Sequence, residues 1–330
     1  MKKRIIKYSD ALNQGTYQLM EKDKNVIIIG QLVNYKPGVF GTTTGLVEKF
    51  GSTRVLDFPV AESLMTSLSL GLALQNKKVI LTHHRLDFML YSFDAIVNWL
   101  SLWHFKSNRK TSANVTIRAI VGKGWGQGPQ HSKSLHSWFS NLPGIKVAMP
   151  ATAFDAKGLL IESVLDDNPC IIVEHRSLFN QRDLVPEKLY RVKFGEAAIK
   201  KLGKDLTLIS IGSFLQEATE VTKILYDKYK IDVELIDLRT LYPIDKNKIL
   251  KSVKKTKNLV ILDPSWKSFG ASAEIISIVT EVQSKILKSN PLRITYPDSH
   301  TPMSSSLERQ YYPNPKSIVN QILKKFFSNI

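Results

Sequence analysis

The fold class the sequence predicts is α/β, with two parallel-sheet domains in tandem, and three observations predict it. Short apolar runs alternate with stretches of helical spacing along nearly the whole chain. At 330 residues the chain is long for a single core, and a 43% hydrophobic content suffices to fill two. The periodicity then lapses around Pro186 before a second βα series begins. The expected organisation is a first domain over 1–185, a linker over 186–194 and a smaller second domain over 195–330.

Ala11, Leu12, Tyr17, Leu19 and Met20 recur at helical spacing, and residues 25–30 read as a buried strand ending on Gly30. A Gly-, Thr- and Pro-rich loop over 34–51 closes with a short helix at 46–50. Residues 54–58 are β-like and lead through Pro59 and Val60 into an apolar helix with Glu62 in its first turn. Next come a strand at 78–82, a helix over 88–102, a basic polar loop at 106–114 and a strand at 115–121. Four glycines in seven positions, Gly122 to Gly128, exclude both helix and central strand, so this is a loop whose backbone comes close to something. After Gln130-His131-Ser132 follow an aromatic helix containing Trp138 and Phe139, a strand at 145–150, and a helix capped by Thr152 with Asp155 three residues on. Asp166 to Pro169 end that helix before a strand at 170–174. The second series has strands at 206–211, 233–238, 259–262 and 292–295, with helices at 215–229, 271–282 and 315–326.

Composition narrows the function. The net charge is 46 − 29 = +17, but the basic residues are dispersed and no stripe interleaves them with aromatics, which argues against a nucleic-acid role. A lysine-rich solvated surface or a basic docking face for a partner accounts for the charge. No apolar run is long enough to span a bilayer, and the basic start runs into Tyr8-Ser9-Asp10 with no signal-peptide h-region. The lone Cys170 allows no intrachain disulfide and suits a reducing compartment, so a cytoplasmic location is expected. Phosphate-loop, Rossmann, nucleophile-elbow and paired-histidine zinc patterns are all missing.

Three informative segments directly follow predicted strands: residues 59–63, 83–88 and 122–132. In open parallel sheets ligands bind beyond the carboxyl ends of the strands, so these three are expected to converge. Taken alone, Glu62 is an ordinary helix-start carboxylate favoured by the macrodipole.

The chain resembles the β subunits of thiamine-diphosphate-dependent 2-oxoacid dehydrogenase E1, the family of the pyruvate and branched-chain enzymes. The match is collinear over nearly the whole length. It runs through Gly45-Leu46-Val47-Glu48-Lys49-Phe50-Gly51, Arg54-Val55-Leu56-Asp57, Pro59-Val60-Ala61-Glu62-Ser63, Asp87-Phe88, Asp94-Ala95-Ile96-Val97-Asn98 and Gln130-His131-Ser132. It continues through Pro143-Gly144-Ile145-Lys146-Val147, Asp155-Ala156-Lys157-Gly158-Leu159-Leu160, Leu238-Arg239-Thr240-Leu241-Tyr242-Pro243-Ile244-Asp245 and Gly270-Ala271-Ser272-Ala273-Glu274-Ile275. Each fragment is weak by itself; their order and spacing are specific.

The resemblance implies a pyrimidine-binding, transketolase-like domain followed by a transketolase C-terminal-like domain. It implies decarboxylation of a 2-oxo acid and reductive acylation of a lipoyl group. Glu62 is expected to hydrogen-bond N1′ of the cofactor's aminopyrimidine and favour its imino tautomer. Phe88 is expected to stack on that ring, Val60 to touch it, and His131 to act in substrate handling and acyl transfer. Asp166 and Asn168 match a turn that binds K⁺ in some members, largely through backbone carbonyls; a helix-ending Asx turn explains them equally well. The family's Gly-Asp-Gly motif for the diphosphate and Mg²⁺ is missing, so Mg²⁺ is expected on an α-type partner, in an α2β2 heterotetramer that serves a lipoyl acyltransferase E2. His84 stands where the family often has methionine near the ring, and Lys133 where glutamine is common. The alternative is half of a two-chain transketolase-like lyase or carboligase that does not use lipoamide.

Overall fold

The computed structural model describes residues 3–124, 126–282 and 285–328, and these form two compact units. One contains the residues up to 123 together with 130–194; the other contains 124 and 126–129 together with the residues from 195 onward.

In the first unit, β2 (Val26–Gly30), β3 (Val55–Asp57), β4 (Lys78–His83), β5 (Val115–Val121), β6 (Lys146–Ala148) and β7 (Cys170–His175) form a parallel sheet in the order β6-β7-β5-β4-β2-β3. Ile28, Ile80, Ile120 and Ile172 pack with Tyr8, Leu12, Leu19 and Met20 of the Tyr8–Lys22 helix and with Ala156, Leu160, Ile161 and Val164 of the Ala153–Val164 helix. Burying each such aliphatic side chain contributes about 1.5–3 kcal/mol. Thr152 caps the second helix as its spacing predicts, its Oγ1 accepting from Asp155 N at 3.1 Å. The Glu62–Leu74 helix packs on β4.

Two departures from the sequence pattern are informative. The helix expected over 88–102 is broken into a short α-turn (Leu86–Met89), a 3₁₀ turn (Leu90–Ser92) and a π-helical stretch (Ala95–Leu100), before a further α-helix at Ser101–Lys106. Such π segments interrupt helices at functional sites. The region around Pro186 contains β8 (Arg182–Pro186), which pairs antiparallel with β1 (Lys3–Lys7). The following carbonyls are gripped by Lys157: its Nζ donates to Gln14 Oε1 and Pro186 O (2.9 Å each), Lys188 O (3.1 Å) and Glu187 O (3.3 Å). Val192 packs on Gly158, where a Cβ would collide with its side chain.

In the second unit, β9 (Ala198–Lys201), β10 (Leu206–Ser210), β11 (Val233–Asp237), β13 (Leu259–Trp266) and β14 (Leu292–Tyr296) run in the order β14-β13-β10-β11-β9, parallel except for β9; β12 is the short Thr240–Tyr242. Helices Leu215–Tyr229, Ala271–Val282 and Pro315–Phe326 lie where the spacing predicts. A Lys246–Thr256 helix, capped by the Asp245 side chain, is additional; its buried stripe includes Ser252 and Thr256, which weakens the apolar signal. No helix among the described residues is long and apolar enough to cross a membrane.

Candidate active site

β3, β2, β4 and β5 are consecutive neighbours, and the segments leaving their carboxyl ends carry Glu62, Gln31, Phe88 and His131 in that order. Residues 59–63, 83–88 and 130–132 therefore lie at one edge, where open parallel sheets bind ligands, while residue 125 of the third expected segment lies outside the described residues.

Glu62 is the first residue of its helix and only 8% exposed. The preceding Ala61 offers no side-chain cap, so the helix start presents unsatisfied N–H groups to which a carboxylate is electrostatically matched. Gln31 Nε2 donates to Glu62 Oε1 at 3.4 Å, a long and weak hydrogen bond that leaves the carboxylate able to accept from a ligand. Glu62 borders an open depression of about 530 Å³ lined by Ala61, Ser63, Leu64, Ser67 and Tyr91. Around it Val60 is 80% exposed and Tyr91 76%, an apolar rim facing outward.

Phe88 and His131 meet edge to face, their ring centroids 5.3 Å apart and their planes at 83°. The His131 carbonyl is tied by Gly122 N–H at 2.9 Å, which anchors the segment after the glycine loop to the end of β5. Lys133 Nζ donates to Asp87 Oδ1 at 2.9 Å, so it pins the same segment to the turn that carries Phe88.

Below Glu62 lies a polar layer that sequence reasoning missed. The Thr66 hydroxyl donates to the Glu62 carbonyl at 2.9 Å and lies 2.9 Å from Ser92 Oγ and 3.3 Å from His83 Nε2. Burial, reinforced by the neighbouring His84, holds the His83 imidazole down at about 3. His84 is lowered by burial too, although its Nε2 lies 2.6 Å from the Gln31 carbonyl, a bond that favours the charged ring. Both rings are therefore neutral at pH 7. Gln31 had one available signal, its place directly after a strand ending on glycine; Thr66 and Ser92 had none, being ordinary residues of helix-like stretches.

Asp166 and Asn168 are not part of this site. They precede β7, at the amino end of the sheet strands. Lys146 pairs with the Asp166 carboxylate, Asn168 donates to Asp166 Oδ1 through both N (2.9 Å) and Nδ2 (3.0 Å), and its own Oδ1 lies 3.0 Å from His104 Nδ1. Lys146 and the Asn168 donors hold the Asp166 carboxyl below its ordinary value against the opposing effect of burial. Among the described residues no group of three or more His, Cys, Asp or Glu side chains could hold a metal ion.

Comparison with known proteins identifies the family of both units. Residues 4–181 match the pyrimidine-binding domain of transketolase, and residues 195–318 match the transketolase C-terminal domain. The chain is 34% identical to the pyruvate dehydrogenase E1 component subunit beta of Acholeplasma laidlawii, over 97% of this chain and 98% of the relative. It is 33% identical to the acetoin:2,6-dichlorophenolindophenol oxidoreductase subunit beta of Bacillus subtilis, over 97% of each. A solved structure described as a split-gene transketolase, an inactive beta4 tetramer, superimposes with a TM-score of 0.80 at 18% identity, covering 97% of this chain and 98% of that one, a likeness of fold alone. The chain belongs to the transketolase-like family of thiamine-diphosphate-dependent enzymes, among the separate β subunits of 2-oxoacid dehydrogenase E1.

Proposed function

We propose that this chain is the β subunit of a thiamine-diphosphate-dependent 2-oxoacid dehydrogenase E1, with Glu62 as the carboxylate that engages the cofactor's aminopyrimidine. The observation that carries the reading is the placement of Glu62: a buried acid with spare accepting capacity, at the mouth of an apolar depression and on the strand edge that bears the Phe88–His131 pair. These residues fit the pyrimidine half of the cofactor. Thiamine diphosphate, when bound, supplies the electron sink that decarboxylation of a 2-oxo acid requires. With the cofactor bound, the Glu62 carboxylate would accept a hydrogen bond from the aminopyrimidine ring and so would favour its imino form. Phe88 offers an aromatic face, Val60 an exposed aliphatic contact, and His131 an imidazole that can hold or move a proton on the substrate side or during transfer to a lipoyl group.

This chain supplies half of the site. It lacks the family's Gly-Asp-Gly element for diphosphate and Mg²⁺, so an α-type subunit holds these and covers the outward apolar rim around Val60 and Tyr91, in an α2β2 assembly. A lipoyl acyltransferase E2 takes the acyl group, in the cytoplasm, the reducing compartment suited to the buried thiol of Cys170. K⁺ at the Asp166–Asn168 turn would rest on backbone carbonyls, since Lys146 and Asn168 already engage the Asp166 carboxylate.

The experiment is Glu62→Gln in enzyme reconstituted with an α-type subunit, the neutral amide being unable to favour the imino form. The expected result is a loss of roughly 100-fold or more in turnover with folding unchanged; normal turnover would refute the assignment. One observation favours a second reading, a two-chain lyase or carboligase that does not use lipoamide: the acetoin relative, as similar as the pyruvate dehydrogenase ones, is named for a dye acceptor. Turnover that depends on a lipoyl acceptor supports the first reading, and indifference to it the second.

A further inference from the structure

The four mutually parallel strands of the second unit begin at one edge of their sheet, and each is entered from a loop that carries an exposed lysine. In the order β14-β13-β10-β11 these are Lys288, Lys257, Lys204 and Lys230. Hydrogen bonds stitch the loops side by side: Lys288 N–H donates to Lys257 O at 2.9 Å, Asn258 Nδ2 to Asp205 O at 2.9 Å, and Lys204 N–H to Asp232 O at 3.0 Å. Neighbouring strands lie about 4.8 Å apart, so the row spans roughly 14 Å. Among the described residues no carboxylate pairs with any of the four. Asp232 is engaged by Lys201 at 2.8 Å, Glu234 by Lys255, and Asp205 Oδ2 accepts from Asp232 N–H at 2.8 Å. A helix macrodipole favours lysines in a last turn, as at Lys254 and Lys255, but Lys204 and Lys288 stand on no helix. Lys230 and Lys257 close their helices in the left-handed conformation, with φ +56° and +59°, where glycine would be unstrained. The row therefore holds like charges together against both mutual repulsion and local backbone preference, and an anion laid across it relieves the repulsion.

We propose that this edge docks an extended acidic segment of a partner protein. Side chains on alternate residues of an extended chain recur about every 6.7 Å on one face, so roughly five residues with alternating carboxylates cover the row. Lysine supplies point charges suited to single carboxylates, and the four loops contain no arginine for a bidentate grip on phosphate. Tyr226, the exposed ring beside the row, is engaged by the ammonium groups of Lys201 at 4.9 Å and Lys230 at 5.9 Å from its centroid, not open to a stacking base. Leu202, 71% exposed and two residues before Lys204, adds one apolar contact. That is enough for a peptide side chain and too little to enter a bilayer.

The test measures, by fluorescence anisotropy, binding of a labelled peptide of alternating Glu and Thr, twelve residues long, to the full chain. An oligothymidylate of the same length and vesicles of phosphatidylglycerol and phosphatidylcholine are measured beside it. The expected result is peptide binding at low salt that weakens as salt rises. It should weaken at least ~10-fold more when Lys204→Gln, Lys230→Gln, Lys257→Gln and Lys288→Gln are combined. A control combining Lys22→Gln, Lys24→Gln, Lys110→Gln and Lys267→Gln removes the same charge from exposed lysines elsewhere and should change binding less than about threefold. Lys230→Gly with Lys257→Gly separates docking from a folding role. It relaxes two left-handed residues, so Tm should hold or rise while binding weakens roughly 3- to 10-fold. No peptide binding at low salt, equal weakening in the two four-lysine variants, or unchanged binding in the glycine variant overturns the docking row. Tighter binding of the oligonucleotide or the vesicles, lost in the same row variant, overturns the acidic polypeptide as its occupant. No turnover is read, so the outcome is independent of the E1 reading.

Discussion

Protonating His83 should cost the first unit stability, because this imidazole has no place for a second proton. The ring is 2% exposed, its Nδ1 has no hydrogen-bond partner among the described residues, and its basicity falls from the ordinary 6.5 to about 3. His175 is 1% exposed and falls to about 3 as well, through burial first and the charge of Lys123 second. Between pH 6.5 and 3 the unfolded chain takes up a proton at each ring that the folded chain refuses, so stability is full above the unfolded value and falls as pH falls. From pH 7.5 to 5.5 the loss is about 1 kcal/mol per ring, and it grows further as pH approaches the folded value. Urea unfolding at the two pH values measures it. His83→Gln and His175→Asn should each reduce the pH-dependent drop by about 1 kcal/mol, whatever each variant does to stability at pH 7.5. In ring-labelled protein the two C2–H resonances should not titrate above pH 5. A variant with the same drop as the native chain, or a ring that titrates near 6.5 in the folded state, refutes the reasoning.

Two other predictions follow from buried contacts. Arg118 and Glu174 are fully buried and joined by two hydrogen bonds, Nε to Oε1 at 2.6 Å and Nη2 to Oε2 at 2.9 Å. Arg118→Met alone should cost about 3–5 kcal/mol by leaving a buried carboxylate unpaired, and replacing Glu174 as well with an apolar residue of similar volume should recover most of it; a urea midpoint for the single variant within error of the native chain contradicts this. Gly144 has φ +84°, and a Cβ there would press on the Ser101 carbonyl, so Gly144→Ala should lower stability by more than about 1 kcal/mol. Thermal unfolding measures it, and an unchanged Tm sinks the prediction.

Apolar periodicity and strand-to-loop transitions were enough to read the layered α/β architecture, the helix carrying Glu62 and the three segments that reach one sheet edge. Local pattern encodes these directly, because a strand buried on both faces and an amphipathic helix each leave their own period in the chain. The resemblance singled out Glu62, Phe88, Val60 and His131 without measuring how they meet. The break of the 88–102 helix into a π segment and the pairing of Lys3–Lys7 with Arg182–Pro186 were not legible, since both are set by partners far away in sequence. Arg85 and Arg176 are 91 positions apart and come together only because β4 and β7 flank β5 in the sheet and Phe40 reaches both. The sequence by itself determined the class of fold and the residue types available for chemistry. Tertiary structure alone decided which of them are neighbours, which imidazoles are forced neutral and where the cations accumulate, because burial and charge proximity are sums over residues that the chain order keeps apart.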